Sequence, residues 1–327
     1  MTHEMPAADS ITLLDLQALF PDEDKARAYL EQIRWPKGPE CPYCNKGYFE
    51  FKKGRIWSLT PNPDKGIRAG LKRCSACKRN FCVTVGTIME KSHLPLRVWI
   101  MGFYMMMSSK TGISALSLQR HLGLGSYRSA WFLCHRIRHC LKQGRTLLTG
   151  TVEVDEMYWG GRPRNINGKV KYKPKTPVVG LIQRDGDLRV SIIKRKSKKV
   201  RSHEIRRVIK ATVDPSAVLY TDEAAMYKPI ARKYGGHETV NHSIQQYAKP
   251  GGITTNTIEG FFGLFRTGLV GVYHGVGRDY LKKYADEYVF RYNRRKMTDG
   301  ERMVEALKLA PGCRLTLEQP KRRASGE

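Results

Sequence analysis

Four cysteines are spaced for metal. Cys41 and Cys44 in CPYC, and Cys74 and Cys77 in CSAC, form two CxxC pairs with residues 45–73 between them. A two-residue spacer lets both sulfurs of a pair face one ion, and four thiolates make a closed tetrahedral zinc site. Two such pairs in succession predict a structural Zn2+ ribbon with a long hairpin between its knuckles, where metal supplies folding free energy to a segment with few core residues. Cys82 lies outside the completed set and reads as a small buried hydrophobe. In CHRIRHC, His135 and His139 are four apart, but such a pair on a basic helix more often faces solvent, DNA or a core than a second metal.

The other chemistry-bearing set is scattered. Asp155 stands in TVEVDEMYWGG, Asp222 in AVLYTDEAAMY, and Asn256, Glu259 and Arg266 in TTNTIEGFFGLFRTG. Attack on a phosphodiester needs an activated nucleophile and a stabilised leaving oxygen, and two divalent ions about 4 Å apart supply both. Mg2+ (or Mn2+) takes hard oxygen ligands and keeps several waters, so two aspartates and one further side-chain oxygen suffice. Each doublet, Asp155-Glu156 and Asp222-Glu223, aims one carboxylate to each side of a strand, and the aspartates are taken as ligands. For the third ligand, Glu259 adds charge that an amide lacks, and Asn256 remains the alternative or a second contact.

These residues need elements to hold them. Val152 and Val154 alternate with Glu153 and Asp155 as in a strand. TPVVGLIQRDGDLRVSIIK reads as a hairpin turning at Asp185-Gly186. A helix follows over about 202–211, then a short apolar strand ending at Asp222, a further helix, and a fifth strand in GGHETVNHS. The last helix, capped by Thr254 or Thr255, repeats Ile258, Phe261, Phe262 and Phe265 at helical spacing and puts Asn256 and Glu259 on one side. Three antiparallel strands, a helix and a parallel strand give an α/β, ribonuclease-H-like plan with a mixed five-stranded sheet. In it the first strand lies beside the fourth, so Asp155 and Asp222 become neighbours and the helix near Thr255 leans its first turn over both.

The chain of 327 residues carries 58 Lys and Arg against 30 Asp and Glu, a net charge of +28. Such an excess implies a polyanionic partner. The acidic part is residues 1–40, with four basic and eight acidic side chains. The N-terminus lacks the pattern of a secretory signal, and the apolar run Val98–Met107 is too short for a bilayer. The expectation is a soluble cytoplasmic protein with no membrane contact. Eight cysteines in a chain this long point to metal rather than a disulfide scaffold.

The chain divides into a helical segment (1–35), the zinc ribbon (36–92), a helical region (93–147), the ribonuclease-H-like domain (148–312) and a basic tail (313–327). In the helical region, SALSLQRHLGL and SYRSAWFLCHRIRHCL have the order of a helix-turn-helix. Arg128, Arg136 and Arg138 favour DNA over a plain bundle as the reason for that pattern. The basic loop 161–175 and the run KRKSKKVR (194–201) suit phosphate contact, though a charge run is usually a solvated face. Tyr273-His274 and Arg291–Arg295 either touch DNA or close the domain's core.

The motifs RWPKGPECPYC, CSACKRNFCVTVGT, VEVDEMYWGGR, YTDEAAMY, VNHSIQQY, TTNTIEGFFGLFRTGLVGVYHGV and YADEYVFRYNRR stand in this order. Over about residues 13–315 they resemble the DDE-type insertion-sequence transposases with an N-terminal zinc ribbon, the insertion sequence fifteen-ninety-five family. The resemblance implies an enzyme that binds the terminal inverted repeats of its element in double-stranded DNA, cleaves there and joins the 3′ ends to target DNA, as a homo-oligomer pairing two ends in the bacterial cytoplasm. It assigns Asp155 and Asp222 as the catalytic aspartates and Asn256 or Glu259 as the third position. Arg266 stands where Lys is common; it keeps the charge for phosphate contact but is a fork rather than a point donor. The alternative is a non-catalytic zinc-ribbon and helix-turn-helix DNA-binding regulator.

Overall fold

A computed structural model describes residues 11–44, 56–161, 163–166, 169–172, 175–193, 200–222, 227, 230, 232–240 and 253–315. Glu223, five positions of the loop 161–175, most of KRKSKKVR, the helix expected between the fourth and fifth strands, the motif VNHSIQQY beyond Val240, and the basic tail from 316 lie outside these residues. The chain forms two units, one of residues 1–108, 118–140 and 298–327, the other of 109–117 and 141–297.

In the first unit, α1 (Leu13–Leu19) starts at a capping box between Thr12 and Asp15, and α2 (Glu23–Arg34) at Asp22, which accepts from the Lys25 N–H. The ribbon is a three-stranded antiparallel sheet in the order β1 (Ile56–Ser58), β2 (Lys72–Cys74), β3 (Asn80–Phe81). Its buried side is fastened to α2 by Lys72, whose ammonium pairs with Glu31 at 2.9 Å. Helix α3 (Leu96–Ser108) buries Trp99, Ile100, Gly102, Phe103 and Met105–Met107, a nearly all-round apolar surface that needs cover on several sides. After α4 (Ala115–His121), α5 (Tyr127–Cys140) packs on α3.

The second unit is built on a five-stranded sheet. Strand β4 (Thr151–Trp159) pairs antiparallel with β7 (Thr176–Gln183), and β7 with β8 (Leu188–Ile192). On its other side β4 pairs parallel with β9 (Val218–Asp222), and β9 with β10 (Gly236–Val240). The order β10-β9-β4-β7-β8 is the expected plan, first strand beside fourth. A separate hairpin, β5 (Pro163–Ile166) with β6 (Lys169–Tyr172), follows β4. Strand β7 is buried from Thr176 to Ile182, as a strand covered on both faces must be.

One face of the sheet packs against α6 (Ser202–Thr212) through Val152, Val154, Leu219, Ile205 and Ile209. The other carries α7 (Asn256–Thr267) and α8 (Arg278–Asn293), with Ile258, Phe261, Phe262, Phe265, Tyr284 and Tyr288 packed over Met157, Val178 and Val190. The four apolar residues of α7 picked out by helical spacing are all buried. Beyond Thr267 the helix widens into a π turn, Gly268–Val272. Gly268 has no Cβ to block the Tyr288 hydroxyl, which donates to the Thr111 carbonyl.

The edge strand β8 is closed by side-chain amides. Gln143 exchanges two hydrogen bonds with the Val190 backbone, at 2.9 and 2.8 Å, and Asn293 two with Leu188, at 2.8 and 3.1 Å. Between its two readings, the segment Arg291–Arg295 therefore contributes to the core. Arg291 is buried in an ion pair with Glu287, Tyr292 meets Phe261 edge-on, and Asn293 seals a strand. Tyr273 likewise packs on Tyr284 and donates to Glu287.

Helix α9 (Asp299–Lys308) clusters with the first unit, although the sequence division ran the last domain to residue 312. Its capping box at Thr298 restarts the chain, and it packs on α3 and α2. Arg302 donates to the Met107 carbonyl at 2.8 Å, and beyond the helix Gly312 donates to Gly86 at 2.8 Å. Amphipathic patterning shows that this helix has an apolar side, not which helix covers it.

Candidate functional site

The four cysteines converge. Cys41 Sγ lies 3.6 Å from Cys77 Sγ and Cys44 Sγ 3.8 Å from Cys74 Sγ, and all four sulfurs fall within 4.8 Å of one another. Thiolates at about 2.3 Å from zinc in a tetrahedron stand ~3.8 Å apart, so the donor set and its spacing fit this ion. Among the described residues no other group of three or more His, Cys, Asp or Glu is gathered this tightly. Cys82 is buried beside Thr84 Oγ1 at 3.2 Å, as a small core residue.

The carboxylates are brought together by register. The last paired residues of β4 and β9 are Glu153 and Tyr220. Two steps further along each strand come Asp155 and Asp222, on strands that a parallel sheet spaces about 4.8 Å apart. They share the α7 face with Glu153, while Glu156 lies on the opposite face and accepts from the Tyr227 hydroxyl. Burial raises the Asp155 pKa to about 7, helped by the charges of Glu156, Asp222 and Glu259 and opposed by the Glu156 N–H. Asp155 thus feels the charges of Asp222 and Glu259. Crowded carboxylates of this kind are a hard-oxygen donor set suited to a divalent cation.

Glu259 sits in the first turn of α7, where Thr255 Oγ1 donates to its Oε1 at 2.6 Å. Asn256 is exposed at the first helical position, its N–H bonded to Thr254 Oγ1 at 3.0 Å. Arg266 is exposed in the last turn on nearly the same side as Glu259, about 10 Å further along the axis at 1.5 Å per residue.

Two residues that hold α7 in place were not singled out by the sequence. Glu153 is fully buried under the helix start. Its Oε2 accepts from the N–H groups of Thr257 and Ile258 at 3.0 and 3.1 Å, and its Oε1 from Thr257 Oγ1 at 2.9 Å and Arg184 Nε at 3.2 Å. Thr255 occupies the N-cap position without a side-chain cap bond, so the cap comes from strand β4 instead. A carboxylate there also meets the positive end of the helix dipole. Arg184 completes the brace, reaching the Thr254 carbonyl at 3.2 Å and lying 4.8 Å above the Tyr220 ring.

Gly180 is the second. It pairs with Asp155 across β4 and β7. A Cβ here would come within 2.6 Å of Ile258 Cδ1 and 2.7 Å of Phe262 Cζ. The bare backbone beside Asp155 is what lets α7 sit so low on the sheet.

Helix α5 corrects an expectation. Arg138 is buried, and Arg136 donates to the carbonyls of Ile88 and Glu90 at 3.1 and 3.2 Å. His135 is buried against Trp131, with ring centroids 3.9 Å apart. Of the three arginines expected to face DNA, Arg128 alone is exposed. Tyr127 beside it is also exposed, whereas from Ala130 onward the helix packs inward on one side, which hydrophobic spacing interrupted by arginines does not reveal. No helix among the described residues is long and apolar enough to cross a membrane.

Comparison with known proteins finds a family model over each of the two regions. Residues 147–293 match the family model of the ISXO2-like transposase domain of IS1595 elements, and residues 21–80 that of the transposase zinc-ribbon domain. An uncharacterised protein in transposable element ISH50 of Halobacterium salinarum is 28% identical over 288 residues, 83% of this chain and 91% of that one. A chain in the simian T-cell lymphotropic virus intasome complex with PP2A regulatory subunit B56 gamma is 14% identical, with a TM-score of 0.28 over 58% of this chain and 64% of that one. The ribbon that gathers four thiolates is thus a transposase zinc-ribbon domain, and the sheet that aligns Asp155 with Asp222 is the ISXO2-like, DDE-type transposase domain of the IS1595 family.

Proposed function

We propose that this chain is a metal-dependent DNA transposase that binds the terminal inverted repeats of its element, cleaves at the ends and joins the 3′ ends to target DNA. It works as a homo-oligomer that brings two ends together. The observation that carries the reading is the alignment of Asp155 with Asp222 on adjacent parallel strands, with Glu259 within electrostatic reach.

In this reading Asp155, Asp222 and Glu259 hold Mg2+ or Mn2+, with Asn256 as a further oxygen donor or the alternative third ligand. The cations, when bound, supply activation of the attacking water and charge stabilisation at the phosphorus. The protein's part is position. Parallel pairing fixes the two aspartates, and the Thr255 hydroxyl orients Glu259. Arg266 offers a guanidinium to a phosphate on the same exposed side of α7, and the ribbon carries structural Zn2+.

The test is cleavage of duplex DNA bearing the element's own terminal repeats, with Mg2+ or Mn2+, by the zinc-loaded protein. Wild type is expected to cut at the 3′ ends and to join them to target DNA. Asp155→Asn and Asp222→Asn lose at least a hundredfold in rate while still binding the duplex. Glu259→Gln and Asn256→Ala compare the two candidates for third ligand. Tight binding by wild type without metal-dependent cutting would instead support the regulator, and cutting without joining a simple nuclease.

A further inference from the structure

With most of α5 turned inward, the ribbon offers a different surface to DNA. The pairing of β1 with β2 and β2 with β3 sets Trp57, Arg73 and Asn80 side by side across all three strands. All three are exposed, Trp57 by 44% of its surface. The alternate residues Ile56, Lys72, Cys74 and Phe81 point the other way and are buried. The sheet therefore has one dry face and one bare face. Arg73 and Asn80 make no side-chain hydrogen bond or ion pair among the described residues. At the knuckle end, Tyr43 is 46% exposed under the Arg79 guanidinium, 5.0 Å from its ring.

Trp57 and Tyr43 are two of the large side chains left open among the described residues. The charge says what covers these. Residues 56–81 hold six Lys and Arg and a single acid, Asp64, which complements a polyanion. The residue types say more. Arg bidentate to guanine and Asn bidentate to adenine are the pairings that read the major groove, and that groove, about 12 Å wide, admits a two-stranded β-ribbon such as the β2–β3 pair that carries Arg73 and Asn80. On adjacent strands the two side chains stand about 4.8 Å apart, close enough to address neighbouring base pairs. On α5 the exposed side chains that could compete for this role are Tyr127 and Arg128 at its start.

We propose that the bare face of the ribbon enters the major groove of duplex DNA. Arg73 and Asn80 read base edges, Trp57 packs beside them, and Arg79, held over Tyr43, contacts the backbone. This rests on the reading that the chain binds its element's ends, and it moves sequence recognition from the helix-turn-helix to the ribbon.

The experiment is fluorescence anisotropy of full-length, zinc-loaded protein. The probes are a labelled duplex of the terminal repeat, a scrambled duplex of equal length, and the single strand, each measured over a range of salt. Arg73→Ala and Asn80→Ala are expected to weaken binding to the repeat about tenfold or more and to shift the scrambled duplex far less. Arg79→Ala should weaken both duplexes alike and lower the salt slope by about one. The substituted side chains are exposed, and zinc content with a thermal melt reports that each variant is folded.

If every ribbon variant keeps the wild-type preference and Arg128→Ala loses it, α5 is the reader and the proposal falls. Preference for the single strand, lost in Trp57→Ala, would replace groove reading with base stacking and overturn it. So would a change of oligomeric state in the variants without loss of DNA preference, which would make the face a contact between copies. Wild type with no preference for the repeat would defeat the end-binding reading itself, an outcome separate from these.

Discussion

In the ribbon each pair of sulfurs arrives on a two-residue spacer, whereas in the sheet Asp155 and Asp222 meet only because two strands far apart in sequence pair in parallel. The thiolates are delivered by local backbone, and the ion that binds them adds folding free energy. The carboxylates are delivered by topology, and burying Asp155 beside the charges of Glu156, Asp222 and Glu259 works against the fold. One site helps to make its scaffold; the other is imposed on a scaffold already made. The contrast predicts that metal should matter to structure in the first and to chemistry in the second.

Zinc removal is the largest test of that contrast. Structural zinc is worth about 10–16 kcal/mol in isolated fingers. Chelation, or Cys74→Ser, is therefore expected to abolish hydrogen-exchange protection across β1–β3 while the amides of β4 and β7 keep theirs. Equal loss in both regions would break the distinction.

Next comes the brace beneath α7. Glu153→Ala leaves two helix N–H groups and Arg184 without their carboxylate, and removing one member of a buried ion pair costs about 3–5 kcal/mol. A denaturant titration should show this loss. Near-wild-type stability would mean that α7 is seated by its phenylalanines alone.

Gly180→Val should cost about 2–3 kcal/mol, as overpacking against Ile258 and Phe262 does in a dense core. It should lower cleavage more than duplex binding, because it lifts the helix that carries Glu259. Unchanged cleavage in a stably folded variant would show that the height of α7 is immaterial.

One further effect has the opposite sign. Asp155 binds its proton up to about 7 in the fold, against an ordinary value of 3.8. Between those values the native state holds more protons than the unfolded chain, so stability from this group is present at low pH and lost as pH rises towards 7. Without added Mg2+ or Mn2+, Asp155→Asn should thus melt higher than wild type at pH 8 and together with it near pH 4. A variant less stable at pH 8 would overturn the crowding account.

The sequence was most legible where chemistry is local or strongly periodic. CxxC spacing located the thiolates. Alternation in VEVD and the order of strands located the aspartates, and the phenylalanines of α7 announced its buried side. Glu153 escaped because in TVEVDE it looks like one more polar residue on the open side of a strand. Only the closing of α7 over that side buries it. Gly180 escaped because its role depends on the residue opposite, which register alone supplies. The burial of Arg136 and Arg138 was hidden for a related reason. Charge predicts exposure until a carbonyl or a packed neighbour offers a better partner than water.

The return of α9 to the first unit has a consequence for synthesis. A ribosome releases α3 early, with its nearly continuous apolar surface, but the helix that covers part of it lies beyond residue 298. All of 141–297 must emerge in between. The unit begun first is therefore finished last: α1, α2 and α5 cover parts of α3 early, but the share of its apolar surface that α9 buries stays open until the end of the chain emerges. A chain that stops short of Asp299 would carry the complete five-stranded sheet and an unfinished first unit.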